Sequence, residues 1–444
     1  MNRMIYNFAA VGVGPFNLGL ACLTHSIPDL NGIFLDKRPA FNWHPGMLMQ
    51  DTTLQVPFLA DHVTMADPTN PFSFLNYLKE QGRIYAFYIR ENFKILRNEY
   101  NQYCQWAIRK LPEVHFNTTV ERIDYDENEK IYLLTCTTPT SAPVVIKARK
   151  LVLGTGTVPY VPANCKKFMH QAVHSANYLP NKHTLQSKKS ITIVGSGQSA
   201  AEIYMDLLQD IDTYGYSLHW ITRSPRFYPL EYSKLTLEMT SPEYVDYFHS
   251  LPQHKRDHLL QHQKHLYKGI NTDLIGAIFD TIYAKKLVSD IDISLRTNAD
   301  LQEISYHDNT DSFNLTFFQE EEEKHYTHHS SGLVLATGYT YQIPDFMEPV
   351  MHKIRLDDRG RYIVNRNYTI DTNDHEIFVQ NAELHTHGFV TPDLGMGCYR
   401  NACIIREMLG REVYPIEKRI AFQQFAVGEE SQLTHTHFQP VHQL

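Results

Sequence analysis

The sequence predicts an α/β protein with two Rossmann-like dinucleotide-binding domains and a helical substrate-binding subdomain. Three observations carry that expectation. Two Gly-rich turns, around residues 12–17 and 195–200, each stand between an apolar run and a helix-like pattern. Two further apolar runs, LVLGTGTVPYVP at 151–162 and LVLATGYTYQIP at 333–344, each end in a Gly-containing turn and then a proline. Finally, 444 residues with 43% apolar content suffice for two or three packed domains.

The elements follow in chain order. The apolar residues of MNRMIYNFAAVGVG read as a first β-strand, because no apolar segment there leads to a small-residue cleavage site. Gly12-x-Gly14 comes next, followed by Leu18, Leu20, Ala21 and Leu23 in a helical pattern. A side chain at these glycines would keep the backbone away from a pyrophosphate, and the helix N-terminus beyond offers free N–H groups and a positive dipole end. Asn17 stands at the third fingerprint position, where glycine or alanine is usual. GIFLDKR reads as the second strand, with Asp36 about where a ribose-binding acid belongs.

SITIVGSGQSAAEIYMDLL, residues 190–208, repeats the arrangement with a closer match, Gly195-x-Gly197-x-x-Ala200. The next strand, LHWITRSPRF, ends in Arg223 and Arg226 rather than in an acid. Arginine suits a 2′-phosphate, so this turn is expected to hold NADPH. The runs at 151–162 and 333–344 echo one another. The first is expected to close the first nucleotide unit, and the second to return the chain to it after an insertion. The expected division is therefore 1–170 with 330–425 as one discontinuous domain and 171–330 as the NADPH domain. Within the latter, 225–290 is expected to be helical and to shape a substrate cleft, and 426–444 to be a flexible polar tail.

Composition excludes several functions. The 41 basic and 49 acidic residues sum to −8, which argues against a nucleic-acid or anionic-membrane surface. No run of 18 apolar residues exists, so no membrane span is expected. Six cysteines without CxxC spacing suit reduced thiols in the cytoplasm better than disulfides or zinc. His254, His258 and His262 recur at helical spacing, but no acid or cysteine completes a site, so they read as a solvated helix face and no metal is expected. EEEEK at 320–324 reads as a solvated hairpin tip.

Taken together, GVGPFNL, GSGQSAAE and LATGY resemble the lysine/ornithine N-monooxygenase family, the flavin-dependent N-hydroxylating enzymes of siderophore biosynthesis. FNWHPGMLMQ at 41–50, PFSFLNYLKEQGR at 71–83 and LHTHGF at 384–389 are similar to that family's pattern too. FMHQAVHSANY resembles the FxGxxxHxxxW/Y signature of the wider flavin monooxygenase class, with His170 in place of the glycine. The resemblance spans about residues 5–415 and implies FAD in the first unit and NADPH in the second. It places Gly12, Gly14 and Pro15 at the FAD turn, Asp36 at its ribose, and Trp43, His44 and Gln55 along the flavin. Gly195, Gly197, Gln198 and Ser199 match the NADPH turn, and Arg223 the position that meets the 2′-phosphate. Asn271 matches an asparagine that contacts substrate and nicotinamide in ornithine enzymes, so Gln55 and Asn271 are the implied catalytic residues.

The implied chemistry is reduction of FAD by NADPH, capture of O2 as a C4a-hydroperoxide, and transfer of one oxygen to a nucleophilic nitrogen. The cofactor supplies the hard step, and the protein orients it and excludes water. A primary amine has a pKa of ~10.4, and only its neutral form can attack, a form that an apolar pocket favours. Family members tend to be tetramers, so a homo-oligomer, tetramer or dimer, is expected.

Substrate identity turns on LQVPFLADHVTMADP, residues 54–68. The amino-acid hydroxylases carry a lysine where this chain has Ala60, and that lysine pairs with the α-carboxylate. A buried carboxylate without its partner would be costly. Leu237 falls where ornithine enzymes use a polar residue, and Gly395 where they use serine. The expected substrate is therefore a short α,ω-diamine, putrescine or cadaverine, hydroxylated for hydroxamate siderophores. Related diamine hydroxylases carry a similar lysine-free stretch. Asp61, Glu231, Glu238 and Asp393 are candidate partners for the distal ammonium. The alternatives are an L-lysine N6- or L-ornithine N5-monooxygenase in which another cation takes the carboxylate, a non-oxygenating NADPH flavoprotein, and a non-catalytic nucleotide sensor. A disulfide reductase would need a redox CxxC or CxxxxC near a flavin turn, and none lies beside either Gly-rich turn.

Overall fold

In the computed structural model, which describes residues 4–139 and 141–428, the two Gly-rich turns belong to two separate sheets. The first has seven strands. Its path runs Val114–His115, Gly32–Leu35, Ile5–Val11, Ser141–Leu153, Ile131–Thr138 and Thr119–Asp126, with Ile377–Val379 also beside Ser141–Leu153. Ile5–Val11 pairs in parallel with Gly32–Leu35 on one side and Ser141–Leu153 on the other. Successive residues of that strand serve opposite faces: Phe8 and Ala10 pack in one core, Ala9 and Val11 in another. Both faces are covered over Phe8–Val11, which is why those four residues read as an unbroken apolar run. Thr119–Asp126 and Ile131–Thr138 extend the sheet as an antiparallel meander.

The second sheet is wholly parallel, in the order Val173–His174, Gly332–Leu335, Ser190–Val194, Ser217–Ile221, Ile293–Arg296. This corrects one expectation. The run beginning at 333 does not return the chain to the first sheet; Gly332–Leu335 pairs with Ser190–Val194. The return is made by Ile377–Val379. The two echoing runs are equivalent in another sense, since each lies in parallel beside the first strand of its own nucleotide unit. An apolar parallel strand carries no mark of which sheet it joins, so LVLA alone could not decide. The chain crosses between the halves at Val158–Pro159 and back at Tyr339–Thr340, and these two crossings pair with each other.

A helical segment follows the strand Ser217–Ile221: Lys234–Leu237, Pro242–Ser250, Gln253–His262, His265–Lys268 and Thr272–Val288. Pro242–Ser250 packs Tyr244, Val245 and Phe248 against Phe389, Val390 and Met396, so the helical part and the segment 389–396 form one small core. That contact sets the wall of the cleft described below. His254, His258 and His262 lie exposed on Gln253–His262. The acidic run sits in the turn between the antiparallel strands Ser312–Gln319 and Lys324–Ser330. All six cysteines are buried and free. No helix among the described residues is long and apolar enough to cross a membrane. The expected tail falls outside the described residues from position 429 onward.

Candidate active site

A cleft of about 2820 Å³ runs between the two sheets and under the helical part. Its first wall carries Gly12, Gly14, Pro15, Asp36, Trp43, His44 and Gln55; its second carries Gly195, Gly197, Gln198, Ser199 and Arg223. Ala60, Leu237 and Gly395 line it as well. Asn271 does not. Its side-chain oxygen caps the helix Thr272–Val288 by accepting from Asp273 N–H (2.9 Å) and Leu274 N–H (3.4 Å). Its backbone N–H donates to Gln198 Oε1 at 2.8 Å, so it stands directly behind the second turn.

The two turns fit dinucleotides on their own geometry. Gly12 has φ +88°, and a Cβ there would stand 2.4 Å from Gly154 O. Gly195 has φ +150°, and its Cβ would stand 2.2 Å from Ala336 O. Only glycine allows each turn to pack against the strand beside it. The helices Pro15–Thr24 and Gln198–Tyr214 then begin at the cleft, and neither has a side chain capping its first turn. Their free N–H groups are suited to a pyrophosphate. Asp36 is buried at the end of Gly32–Leu35, where it accepts from Val13 N–H (2.8 Å) and from Arg38 Nη2 (2.7 Å). His44 holds a left-handed conformation, φ +47°, and its ring lies edge-on to those of Trp43 (4.9 Å) and Tyr339 (5.9 Å).

The second wall holds a basic cluster of which sequence reading found only part. Lys264 and Lys268 line the cleft with Arg223 and Arg226. Partial desolvation, together with the charges of Lys264 and Arg223, pulls the Lys268 pKa down. No acidic partner meets any of these four among the described residues. Mutually repelling cations at a cleft wall suit a multiply charged anion such as a 2′-phosphate. The i, i+4 spacing of Lys264 and Lys268 in KHLYK was the available signal.

The structure separates the four candidate acids. Asp61 is a buried loop staple: it accepts from the N–H groups of Val63 (3.0 Å), Thr64 (2.7 Å) and Phe74 (2.7 Å) and from the Thr64 hydroxyl (2.6 Å). Glu238 accepts from the N–H groups of Phe422 (2.9 Å) and Gln423 (3.1 Å). Neither lines the cleft. Glu231 does, but it is exposed and engaged by the Thr236 hydroxyl (2.8 Å) and His265 (3.4 Å). Asp393 lines the cleft with one oxygen accepting from Gly395 N–H (2.8 Å) and the other without a partner among the described residues. Desolvation raises its pKa, against the Gly395 N–H and the charge of Arg400. Arg400 is itself committed to Glu383 (3.0 Å) in a buried pair, donates to Thr391 O (2.6 Å), and lies over the Phe16 ring (4.5 Å).

The lining of the same cleft includes Ala60, Tyr232, Thr236, Leu237, Leu394 and Gly395. A Cβ at Gly395 would stand 3.2 Å from Asp393 Oδ1, so the glycine leaves that carboxylate its room. The remaining cleft-lining arginines are paired: Arg38 with Asp36, Arg97 with Glu202, Arg359 with Asp257, and Arg361 with Asp257 and Asp357. Lys94 has its ammonium 5.8 Å from the Tyr232 ring centroid but does not line the cleft.

A family model described as L-lysine 6-monooxygenase/L-ornithine 5-monooxygenase matches residues 4–341. A putrescine N-hydroxylase from Shewanella oneidensis is 53% identical over 427 residues, 96% of this chain and 85% of that one. The FAD-bound cadaverine monooxygenase of the desferrioxamine pathway from Erwinia amylovora superposes with a TM-score of 0.95 at 54% identity, covering 96% of this chain and 100% of the other. An ornithine N-hydroxylase from Kutzneria, solved with reduced FAD, NADP+ and L-ornithine, reaches a TM-score of 0.84 at 27% identity, over 92% and 99% of the two chains.

Proposed function

This chain belongs to the L-lysine 6-monooxygenase/L-ornithine 5-monooxygenase family, the flavin-dependent N-monooxygenases, and we propose that its own substrate is a short α,ω-diamine, putrescine or cadaverine. FAD and NADPH are its cofactors. When bound, FAD reduced by NADPH activates O2 and supplies the oxygen atom that the amine receives. The first Gly-rich turn, Asp36, Trp43, His44 and Gln55 are the groups to hold FAD; the second turn, Arg223 and Lys268 are the groups to hold NADPH.

The observation that carries the diamine reading is the lining of the cleft that Asp393 shares with Ala60, Leu237 and Gly395. Ala60, Leu237 and Gly395 offer no cation to an α-carboxylate, whereas Asp393 offers a partly desolvated carboxylate with a free oxygen. A diamine presents one ammonium for that carboxylate and one amine to be hydroxylated. An amino acid would present a carboxylate to a wall without a positive charge, at a desolvation cost that nothing repays. The reacting amine must be neutral, and the apolar lining lowers the free energy of that form relative to the ammonium.

The deciding assay compares hydroxylamine formation from putrescine, cadaverine, lysine and ornithine at saturating NADPH. The diamines are expected to give the highest kcat/KM. Better turnover of lysine or ornithine refutes the reading, and Lys94 would then be the first cation to test. We further read the enzyme as a cytoplasmic homo-oligomer. The six free, buried cysteines fit a reducing compartment. An exposed stripe of Phe279, Tyr283 and Leu287 along Thr272–Val288 fits a subunit contact, which light scattering would test.

A further inference from the structure

We propose that Arg97 and Glu202 are positioning residues that hold the two nucleotide-binding halves in register across the cleft. Arg97 opens the helix Arg97–Ile108 in the first half, its backbone N–H bound to Thr52 O at 2.9 Å. Thr52 directly precedes Thr53–Pro57, the strand that carries Gln55. Glu202 lies one turn into Gln198–Tyr214 in the second half. Their contact is bidentate, Nη1 to Oε2 at 2.6 Å and Nη2 to Oε1 at 2.7 Å, with side chains only 14% and 4% exposed.

Two features raise this pair above an ordinary ion pair. A buried pair gives little net stability over well-packed apolar residues, whereas the guanidinium fork fixes both distance and angle between the elements it joins. The pair also continues into the cleft. Glu202 Oε1 accepts from Gln198 Nε2 at 2.7 Å, which turns the Gln198 oxygen the other way. That oxygen accepts from the Asn271 backbone N–H (2.8 Å) and from Gln55 Nε2 (3.4 Å). One network therefore joins Arg97 and Gln55 from the first half, Glu202 and Gln198 from the second, and Asn271 at the head of Thr272–Val288. Gln55, Gln198 and Arg97 line the cleft; Glu202 does not and acts through Gln198 and Arg97. With NADPH and FAD held by different halves, a small displacement of one half against the other would slow flavin reduction steeply.

The inference rests on the NADPH and FAD chemistry of the family, not on which amine is hydroxylated, so the test omits amine. The FAD-loaded full chain and its Glu202→Gln, Arg97→Lys and double variants are mixed with NADPH without oxygen, and flavin bleaching is followed. Glu202→Gln is expected to slow reduction by about tenfold or more, with NADP+ affinity unchanged because the basic cluster around Arg223 is intact. Arg97→Lys, which keeps the charge but not the fork, is expected to fall between. The double variant is expected to lose no more than the worse single one. Amide exchange, read without NADPH, should quicken in peptides covering 53–56 and 269–272 but not in the central strands of either sheet. Reduction at the parental rate, losses that multiply in the double variant, or NADP+ affinity lost in step with reduction would each overturn the proposal. So would failure of both single variants to fold, which would make the pair purely structural.

Discussion

Replacing Asp393 with asparagine keeps the shape of the side chain and its bond to Gly395 N–H while removing the charge that faces the cleft. A charge-assisted hydrogen bond to an ammonium is worth about 1.5–3 kcal/mol net, which converts to roughly a 10- to 150-fold loss in kcat/KM for the diamine. Coulomb attraction alone would suggest more, about 4 kcal/mol at 4 Å in an intermediate dielectric, but desolvating the ammonium offsets part of it. The effect should appear in KM more than in kcat, because the distal ammonium is far from the reacting nitrogen. Anaerobic flavin reduction by NADPH should not change. The acid limb of the pH profile supplies a second readout. Burial raises the Asp393 pKa, so the carboxylate is charged above that raised value and takes up its proton as pH falls through it. Diamine kcat/KM should therefore decline on the acid side sooner than an ordinary carboxylate would dictate, and Asp393→Asn should lack that limb. Unchanged diamine kinetics, or an acid limb that survives the substitution, would remove Asp393 from substrate recognition.

Three further outcomes follow from the same cleft. Ala60→Lys places a cation in the lining of a pocket built for an ammonium, and diamine kcat/KM should fall by about tenfold or more through like-charge repulsion; unchanged kinetics would put position 60 outside the pocket. Gly395→Ser brings a Cβ to 3.2 Å from Asp393 Oδ1. The carboxylate must shift, and diamine KM should rise by roughly three- to tenfold, with the NADPH KM unaltered. Lys268→Met should raise the KM for NADPH by roughly five- to tenfold and leave that for NADH alone. An equal effect on both nucleotides would show that Lys268 does not meet the 2′-phosphate.

The two halves also explain why glycine recurs where it does. Each nucleotide unit sets a Gly-rich turn against the end of a parallel neighbour, Gly12 against Gly154 and Gly195 against Ala336. The same contact made twice with different neighbours is the structural meaning of the echo between LVLGTG and LVLATG. It also accounts for the one strand that sequence reading sent to the wrong sheet.

What the sequence determined by itself is whatever rests on local backbone chemistry. Gly12 and Gly195 require a close approach that no other residue permits, and the helices that follow begin just beyond Gly14 and Gly197. Arg223 and Arg226 at the end of a strand, and alanine where a lysine would stand, are likewise visible in a single stretch. The tertiary structure decided the rest, because it concerns which partners remain free. Asp61 looked as eligible as Asp393 until four donors from its own loop and from Phe74 were found on its oxygens. Asn271 was read as a cleft residue until its oxygen was found capping a helix. Arg97 and Glu202 are 105 residues apart, and nothing in either segment announces the other. A carboxylate's availability is set by every donor that folding brings to it, most of them distant along the chain, and a linear reading cannot count them.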